Sequence, residues 1–353
     1  MKKILTQRLT IVILLVLNLF GFQLYGQDVT FTHFMQNPIY YNPASVGIDQ
    51  GMLISLNYRR ALIYLPSKFE TIAFGIDQSL HDTEIKGLGG VGLFLTRNQE
   101  GDGTYNTTAL GIPFSARVIV NENLKFQVGI APVIYQKSIN FNNLVFFDQL
   151  RYYQVPTSLS SISSANLNQT VTFFDFHIGI FGRYETDPTD QSNERNNVFD
   201  FGFSIQHLPE PNQAFDPNVT AKLASKYSLM MRYSHVVATY GYQQASIQPL
   251  MLLEKQGSFE DFITGINFKY KTFSLGSYLR HEQSSFMRVT ELMMLIGTEF
   301  QLGNRAFSSM QLNYSFDLLV ASKQVNRNIS NELSVILKLP SIHHPKDPCH
   351  FRF

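Results

Sequence analysis

The chain has 353 residues, enough for two ordinary soluble domains or one large β-architecture. Its 28 basic and 27 acidic residues nearly cancel, which excludes the basic field that nucleic acid requires and leaves no acidic tail. Only 16% of residues are charged, against roughly 25% in soluble domains, while 13% are aromatic, with 30 Phe, 17 Tyr and no Trp.

At the amino end, Lys2, Lys3 and Arg8 precede a stretch without charge from Leu9 to Gln27 that includes an unbroken apolar run from Ile11 to Leu17. Gly26 supplies a small residue ahead of a cut before Gln27, so residues 1–26 read as a secretory signal peptide. A retained transmembrane helix is the competing reading, opposed by Asn18, Gly21 and Gln23 and by the aromatic exit of the run. No cysteine follows the leader to carry a lipid anchor, and the single Cys349 excludes an internal disulfide, so stability rests on packing and strand pairing.

Residues 27–50 come next and contain "THFMQNPIYYNPASVG", Thr32 to Gly47, with two Asn-Pro pairs among aromatics. Proline fixes φ and holds the residue before it extended, which makes this a stiff, turning segment unable to join a strand ladder.

From residue 51 to 340 apolar residues alternate with polar or small ones in segments bounded by turn-rich stretches. Period two puts successive side chains on opposite faces of a strand. Leu56 and Tyr58 thus share a face against Ser55, Asn57 and Arg59, and Phe174, Phe176 and Ile180 oppose Asp175, His177, Gly179 and Arg183. Likewise Phe262, Ile266 and Phe268 oppose Asp261, Gly265, Asn267 and Lys269. About fourteen such segments are predicted, near 52–59, 70–79, 88–97, 105–119, 123–138, 172–184, 197–207, 226–243, 246–255, 259–270, 272–282, 291–302, 306–320 and 329–339. Pro249 weakens the segment near 246–255, because it cannot donate to a ladder. Short turns are expected around Lys271 and from Gly303 to Arg305, and long polar loops from Asn98, Val155 to Gln169, Glu185 and Leu208. Residues 341–353 form a carboxyl-terminal tail, expected in the periplasm.

A soluble sandwich also alternates apolar and polar residues. The count of strands, their length of about 9 to 11 residues, the scarcity of charge and the Tyr and Phe near segment ends favour a barrel in lipid. The expected fold is therefore all-β: a transmembrane outer-membrane barrel of about fourteen antiparallel strands, following a cleaved signal peptide. Lipid tolerates no open sheet edge, so the sheet must close.

Chemical motifs are sparse. There is no GxSxG, HExxH, P-loop or CxxC, and a non-enzymatic chain without cofactor or metal is expected. Asp175, His177 and Arg183 read as polar groups pointing into a wet lumen rather than as an acid–base set. His343, His344, Cys349 and His350 in the tail match no structural zinc spacing. "GLGGVG", Gly87 to Gly92, enters a strand rather than a helix, and reads as glycine that lets strands bend and pack against something in the lumen.

The stretch "QDVTFTHFMQNPIYYNPASVG", with Asn37, Pro38, Tyr41, Asn42, Pro43 and Gly47, resembles the amino-terminal signature of the PorP/SprF family of type IX secretion outer-membrane proteins of the Bacteroidetes. "LNYRRALI", with Tyr58 and Arg59, is similar to that family's Tyr-Arg segment, which often carries a Trp that this chain lacks. "GLGGVGLFLTRNQEG", "LNYSFDLLVAS" and "NISNELSVIL" resemble its glycine-rich second hairpin and its last two strands. The resemblance implies contact with the secretion ring and peptidoglycan-linked periplasmic proteins, and a role in secreting or anchoring surface proteins such as gliding adhesins. The two Asn-Pro pairs are expected at the barrel base, either lining the periplasmic mouth with a rigid edge for a partner or capping the base and setting the first strand. A passive porin or small-solute transporter is the alternative that the polar inner face would equally suit.

Overall fold

The computed structural model describes residues 28–49, 51–63, 67–80, 88–101, 105–121, 123–141, 144–146, 149, 167–186, 197–240, 243–283, 288–302, 308–320 and 328–340. The leader and the His- and Cys-containing tail lie outside the described residues, as do Gly87, Gly303 to Arg305 and most of the expected loops from Val155 and Glu185.

The segments fold as β1 (Met52–Ala61), β2 (Phe69–Ser79), β3 (Leu88–Glu100), β4 (Tyr105–Gly111), β5 (Phe114–Ile119), β6 (Leu124–Ser138), β7 (Thr170–Glu185) and β8 (Val198–Gln206). They continue as β9 (Lys226–Tyr240), β10 (Gln243–Gln256), β11 (Phe259–Tyr270), β12 (Phe273–Gln283), β13 (Arg288–Gln301), β14 (Ser309–Leu319) and β15 (Asn328–Leu339). All pairings are antiparallel, and β1 pairs with both β2 and β15, from Met52 opposite Leu339 to Ala61 opposite Ser330, which closes the sheet. β4 and β5 both lie between β3 and β6, so they form one stave interrupted at Ile112 and Pro113, and the barrel has fourteen staves.

Two local expectations change. The stretch from Asn98 is mostly strand rather than long loop, because β3 runs to Glu100 and pairs it with both Phe69 and Tyr105. The Pro249 segment is a full strand: Pro249 lies opposite Ile266 of β11, and on its other side the paired positions jump from Ile247–His235 to Leu250–Arg232. The missing N–H thus falls where the β9 ladder lapses.

The strands sort their side chains as the alternation predicts. Leu56, Ile72, Val128, Phe176, Ile266, Leu279, Ile296 and Leu333 face outward, while Asn57, Arg59, Asp175, Asp200, Glu254, Asp261, Arg280, Asp317 and Glu332 are buried inside. Buried charges need partners, and these have them: Arg280 bonds Asp261 at 2.6 Å and Arg183 bonds Asp200 at 2.6 Å. No described helix is long and apolar enough to cross a membrane.

Met52 and Leu339 sit at one rim, from which the chain enters and leaves the barrel. The ends of β6 and β8 at Ser138 and Gln206, and the starts of β7 and β9 at Thr170 and Lys226, sit at the opposite rim, where the two longest separations between consecutive strands fall, which the loop asymmetry of outer-membrane barrels assigns to the cell exterior.

The core sits inside the barrel. Phe31, Phe34, Tyr41, Ala44 and Ile48, all from the amino-terminal segment, cluster with inward-facing Phe181, Met230, Leu250, Leu252, Ile263, Tyr278, Met293 and Leu295. Residues 28–49 are therefore a plug in the lumen rather than an edge at its mouth. The inner wall is polar over much of its surface but carries an apolar sector from β7 to β13, and burying that sector against aromatic side chains removes it from water at about 25 cal/mol per Å2.

Candidate functional site: the plugged lumen

The plug begins near the exterior rim and runs toward the rim where β1 starts. A helical turn, α1 (Pro38–Tyr41), and a tighter turn at Pro43–Ser45 each begin at a proline, whose absent N–H costs nothing at that position. Asn42 links the two: its Oδ1 accepts from the Ala44 N–H at 2.9 Å and its backbone oxygen accepts from the Ser45 hydroxyl at 2.7 Å. Its side-chain amide also donates to Ile180 O at 2.8 Å and Phe203 O at 3.3 Å on the wall. The second Asn-Pro pair is thus both a turn and a rivet to β7 and β8.

Aromatic rings hold the first half of the plug. Tyr40 meets Phe31 and Tyr41 edge-on at centroid distances of 5.4 and 5.0 Å, and the Tyr41 hydroxyl accepts from the Phe31 N–H at 2.7 Å. The Lys226 ammonium lies 5.9 and 5.7 Å from the Tyr40 and Tyr41 rings and 2.9 Å from Glu254. Burial and the neighbouring carboxylates push both phenols well above their ordinary range, so they stay neutral donors.

Four polar attachments fix the plug along its length. At the exterior end, His207 bridges two carboxylates: Nε2 donates to Asp28 at 2.6 Å and Nδ1 to Asp175, which also lies 3.4 Å from His177. Burial by itself lowers the His207 pKa, but Asp28 and Asp175 outweigh it and raise the value to about 9. Burial would raise the Asp28 carboxyl, and the imidazolium beside it instead holds it well below the carboxylate range. The Asp28 N–H donates to Gln256 at 2.8 Å, and the Thr30 hydroxyl to Glu254 at 2.8 Å.

Midway, the Glu332 carboxylate accepts the Thr32 and His33 N–H groups at 2.8 and 3.2 Å. Arg59 donates to the Thr32 hydroxyl at 2.8 Å while pairing with Asp317 at 3.0 Å and Glu332 at 3.5 Å. Burial outweighs these carboxylates at His33 and lowers its pKa, leaving a neutral ring that bonds Ser334 at 3.0 Å. Farther along, the Ser204 hydroxyl and the Gln206 amide donate to Tyr41 O and Tyr40 O, each at 2.6 Å. Near the β1 rim, Val46 O accepts from Ser115 at 2.8 Å, Gly47 O accepts from Arg117, and Asp49 pairs with Arg183.

Inward-facing glycines make room for this backbone. A Cβ at Gly129 would lie 2.5 Å from Ala44 Cα, and one at Gly202 2.8 Å from the Asn42 amide. Gly47 has φ +68°, and a Cβ there would lie 2.7 Å from Gly90 Cα. The "GLGGVG" stretch therefore does pack against a lumenal element.

The predicted motif residues divide accordingly. Asn37, Pro38, Tyr41, Asn42, Pro43 and Gly47 all lie in the plug, and Arg59 holds it from the wall. Tyr58 points the other way, 38% exposed on the outer face. Sequence reasoning missed Asp28, Thr30, Thr32, His207, Glu254, Asp317 and Glu332. Their one available signal was a charged residue at an inward strand position, as Glu254, Asp317 and Glu332 are. Asp175, His177 and His207 offer ligand atoms within 4.8 Å of one another, but two of the three already bond each other and His207 also bonds Asp28, so holding a metal would break this clasp.

Among the described residues, two sizeable cavities flank the plug. One of about 480 Å3 opens at the exterior rim between Asp28, Val29, Tyr40, Lys137 and Phe215. Another of about 160 Å3 lies on the other side, against His33, Asp49, Arg232 and Lys338.

The family model for type IX secretion system membrane proteins PorP/SprF matches residues 23–337. No curated protein matches. Solved structures similar to this chain include the CymD monoaromatic hydrocarbon channel, at 12% identity and TM-score 0.43, covering 90% of this chain and 96% of that one. A Pseudomonas aeruginosa FadL homologue stands at 12% identity and TM-score 0.43, with 90% and 95% covered. The β domain of the Bordetella autotransporter BrkA stands at 12% identity and TM-score 0.38, with 82% and 99% covered.

Proposed function

We propose that this chain, which belongs to the PorP/SprF family of type IX secretion system membrane proteins, is a closed, non-enzymatic outer-membrane anchor that joins the periplasmic secretion machinery to an exported surface protein. The observation that carries the reading is the plug. A barrel whose lumen is occupied by its own residues 28–49, fixed by buried ion pairs and ring contacts, leaves its rims as contact surfaces and narrows the lumen among the described residues to separate cavities beside the plug. The same filling opposes a diffusion porin, which needs a continuous wet lumen.

On this reading the periplasmic rim meets ring and peptidoglycan-linked components, and the loops of the other rim meet the exported protein, an adhesin in a gliding cell. Crosslinking in outer membranes through a tag at Asn218, in the exposed connection after β8, followed by mass spectrometry, tests it. Recovery of periplasmic ring components or one large surface protein supports the anchor. Recovery of the barrel alone, with steady ion conductance in planar bilayers, replaces it with the porin.

A further inference from the structure

The direction of the plug has a topological consequence. β1 starts at the periplasmic rim with Met52, yet the chain before it has come down the lumen from Asp28, whose partners His207, Gln256 and Asp175 lie at or toward the opposite rim. Asp28 and Val29 line the cavity of about 480 Å3 that opens there. Asp28, the first described residue, thus stands at the exterior end of the plug.

Asp28, Glu100 and Asp216 line the cavity together with Lys137; the Asp28 carboxylate is already held by His207, which leaves Glu100 and Asp216 as its other carboxylates.

We propose that this cavity is the seat of the mature amino terminus: the plug is threaded with its free end toward the cell exterior, the chain is cut within a few residues of Asp28, and the new α-ammonium group sits among these carboxylates. Leader removal is then a precondition of plug seating. An attached leader, still held in the inner membrane or periplasm, would tether Asp28 on the wrong side of the barrel and leave His207 and Glu254 without their plug partners.

Surface labelling tests the threading without reference to secretion or to any partner. In a Cys349→Ser background, a cysteine heading a Gly/Ser spacer of about twelve residues, which reaches roughly 20 Å, is inserted between Gln27 and Asp28. A large, membrane-impermeant maleimide is expected to label it on intact cells as fully as a cysteine placed at Asn218. Labelling that appears only after the outer membrane is permeabilised overturns the proposal. Mass spectrometry of the unmodified protein provides an independent check: the amino-terminal peptide is expected to begin within a few residues of Asp28. A non-conducting barrel that still carries residues 1–26 would refute the link between cleavage and seating.

Discussion

Glu332 is the most informative single position in the lumen, because one carboxylate holds two plug N–H groups and part of Arg59. Replacing it with Ala removes the acceptors of Thr32 N–H at 2.8 Å and His33 N–H at 3.2 Å. Hydrogen bonds to a charged group are each worth about 1.5–3 kcal/mol, and breaking a buried ionic group costs about 3–5 kcal/mol. The lower half of these ranges applies, since Arg59 keeps Asp317 at 3.0 Å and is not left unpaired. A loss of about 4 kcal/mol corresponds to a plug unseated roughly a thousandfold more often. Hydrogen exchange of the Thr32 and His33 amides in detergent micelles measures that opening directly. Leu333→Ala, one residue away on the outer face, is the control for damage to β15 itself. Exchange in Glu332→Ala less than tenfold faster than in the control would refute the assignment of this carboxylate as a principal attachment.

Neighbouring Tyr58 and Arg59 should separate in plug exchange and in thermal stability. Tyr58→Phe keeps the lipid-facing ring and changes plug exchange negligibly, whereas Arg59→Ala strands Asp317 and Glu332 and costs about 3–5 kcal/mol, read as lowered thermal stability. Gly129→Val drives side-chain atoms into the Ala44 backbone, where even a Cβ would be 2.5 Å from Ala44 Cα. Overpacking of about 1–3 kcal/mol is expected, together with increased bilayer conductance as the plug is displaced. The His207 clasp gives a pH dependence of defined sign. Its pKa is raised to about 9 in the seated state, so its contribution is complete below the ordinary value near 6.5 and is lost as pH rises through about 9. Plug exchange should accelerate over that window by an amount equivalent to at most about 3 kcal/mol, and His207→Gln should flatten the profile.

Much of this architecture is written in local pattern. The alternation around Asn57, Asp175 and Asp261 places polar groups inward and Leu56, Phe176 and Phe262 outward, and lipid's intolerance of an open edge turns such strands into a closed barrel. Strand number could be read because it depends on residues adjacent in the chain, whereas the full strand around Pro249 could not, because the lapse that accommodates it lies in the pairing with β9. The two Asn-Pro pairs likewise announce a rigid, turning segment that no ladder absorbs. The inward Met230, Leu252, Ile263 and Met293 are apolar residues on a face otherwise polar, and nothing local says what covers them.

That answer belongs to the tertiary structure alone. The contacts that make a plug join residues far apart in the chain, as Thr32 joins Glu332 and Asp28 joins His207. No period, turn or cap encodes such a pairing. Local pattern sets the wall, because each strand's two faces are decided by neighbours two residues apart and by the lipid outside. Only closure of the barrel decided that residues 28–49 run inside it with Asp28 toward the exterior. Closure brings the apolar sector, the inward glycines and the paired carboxylates around one space that only a segment of that shape and charge can fill.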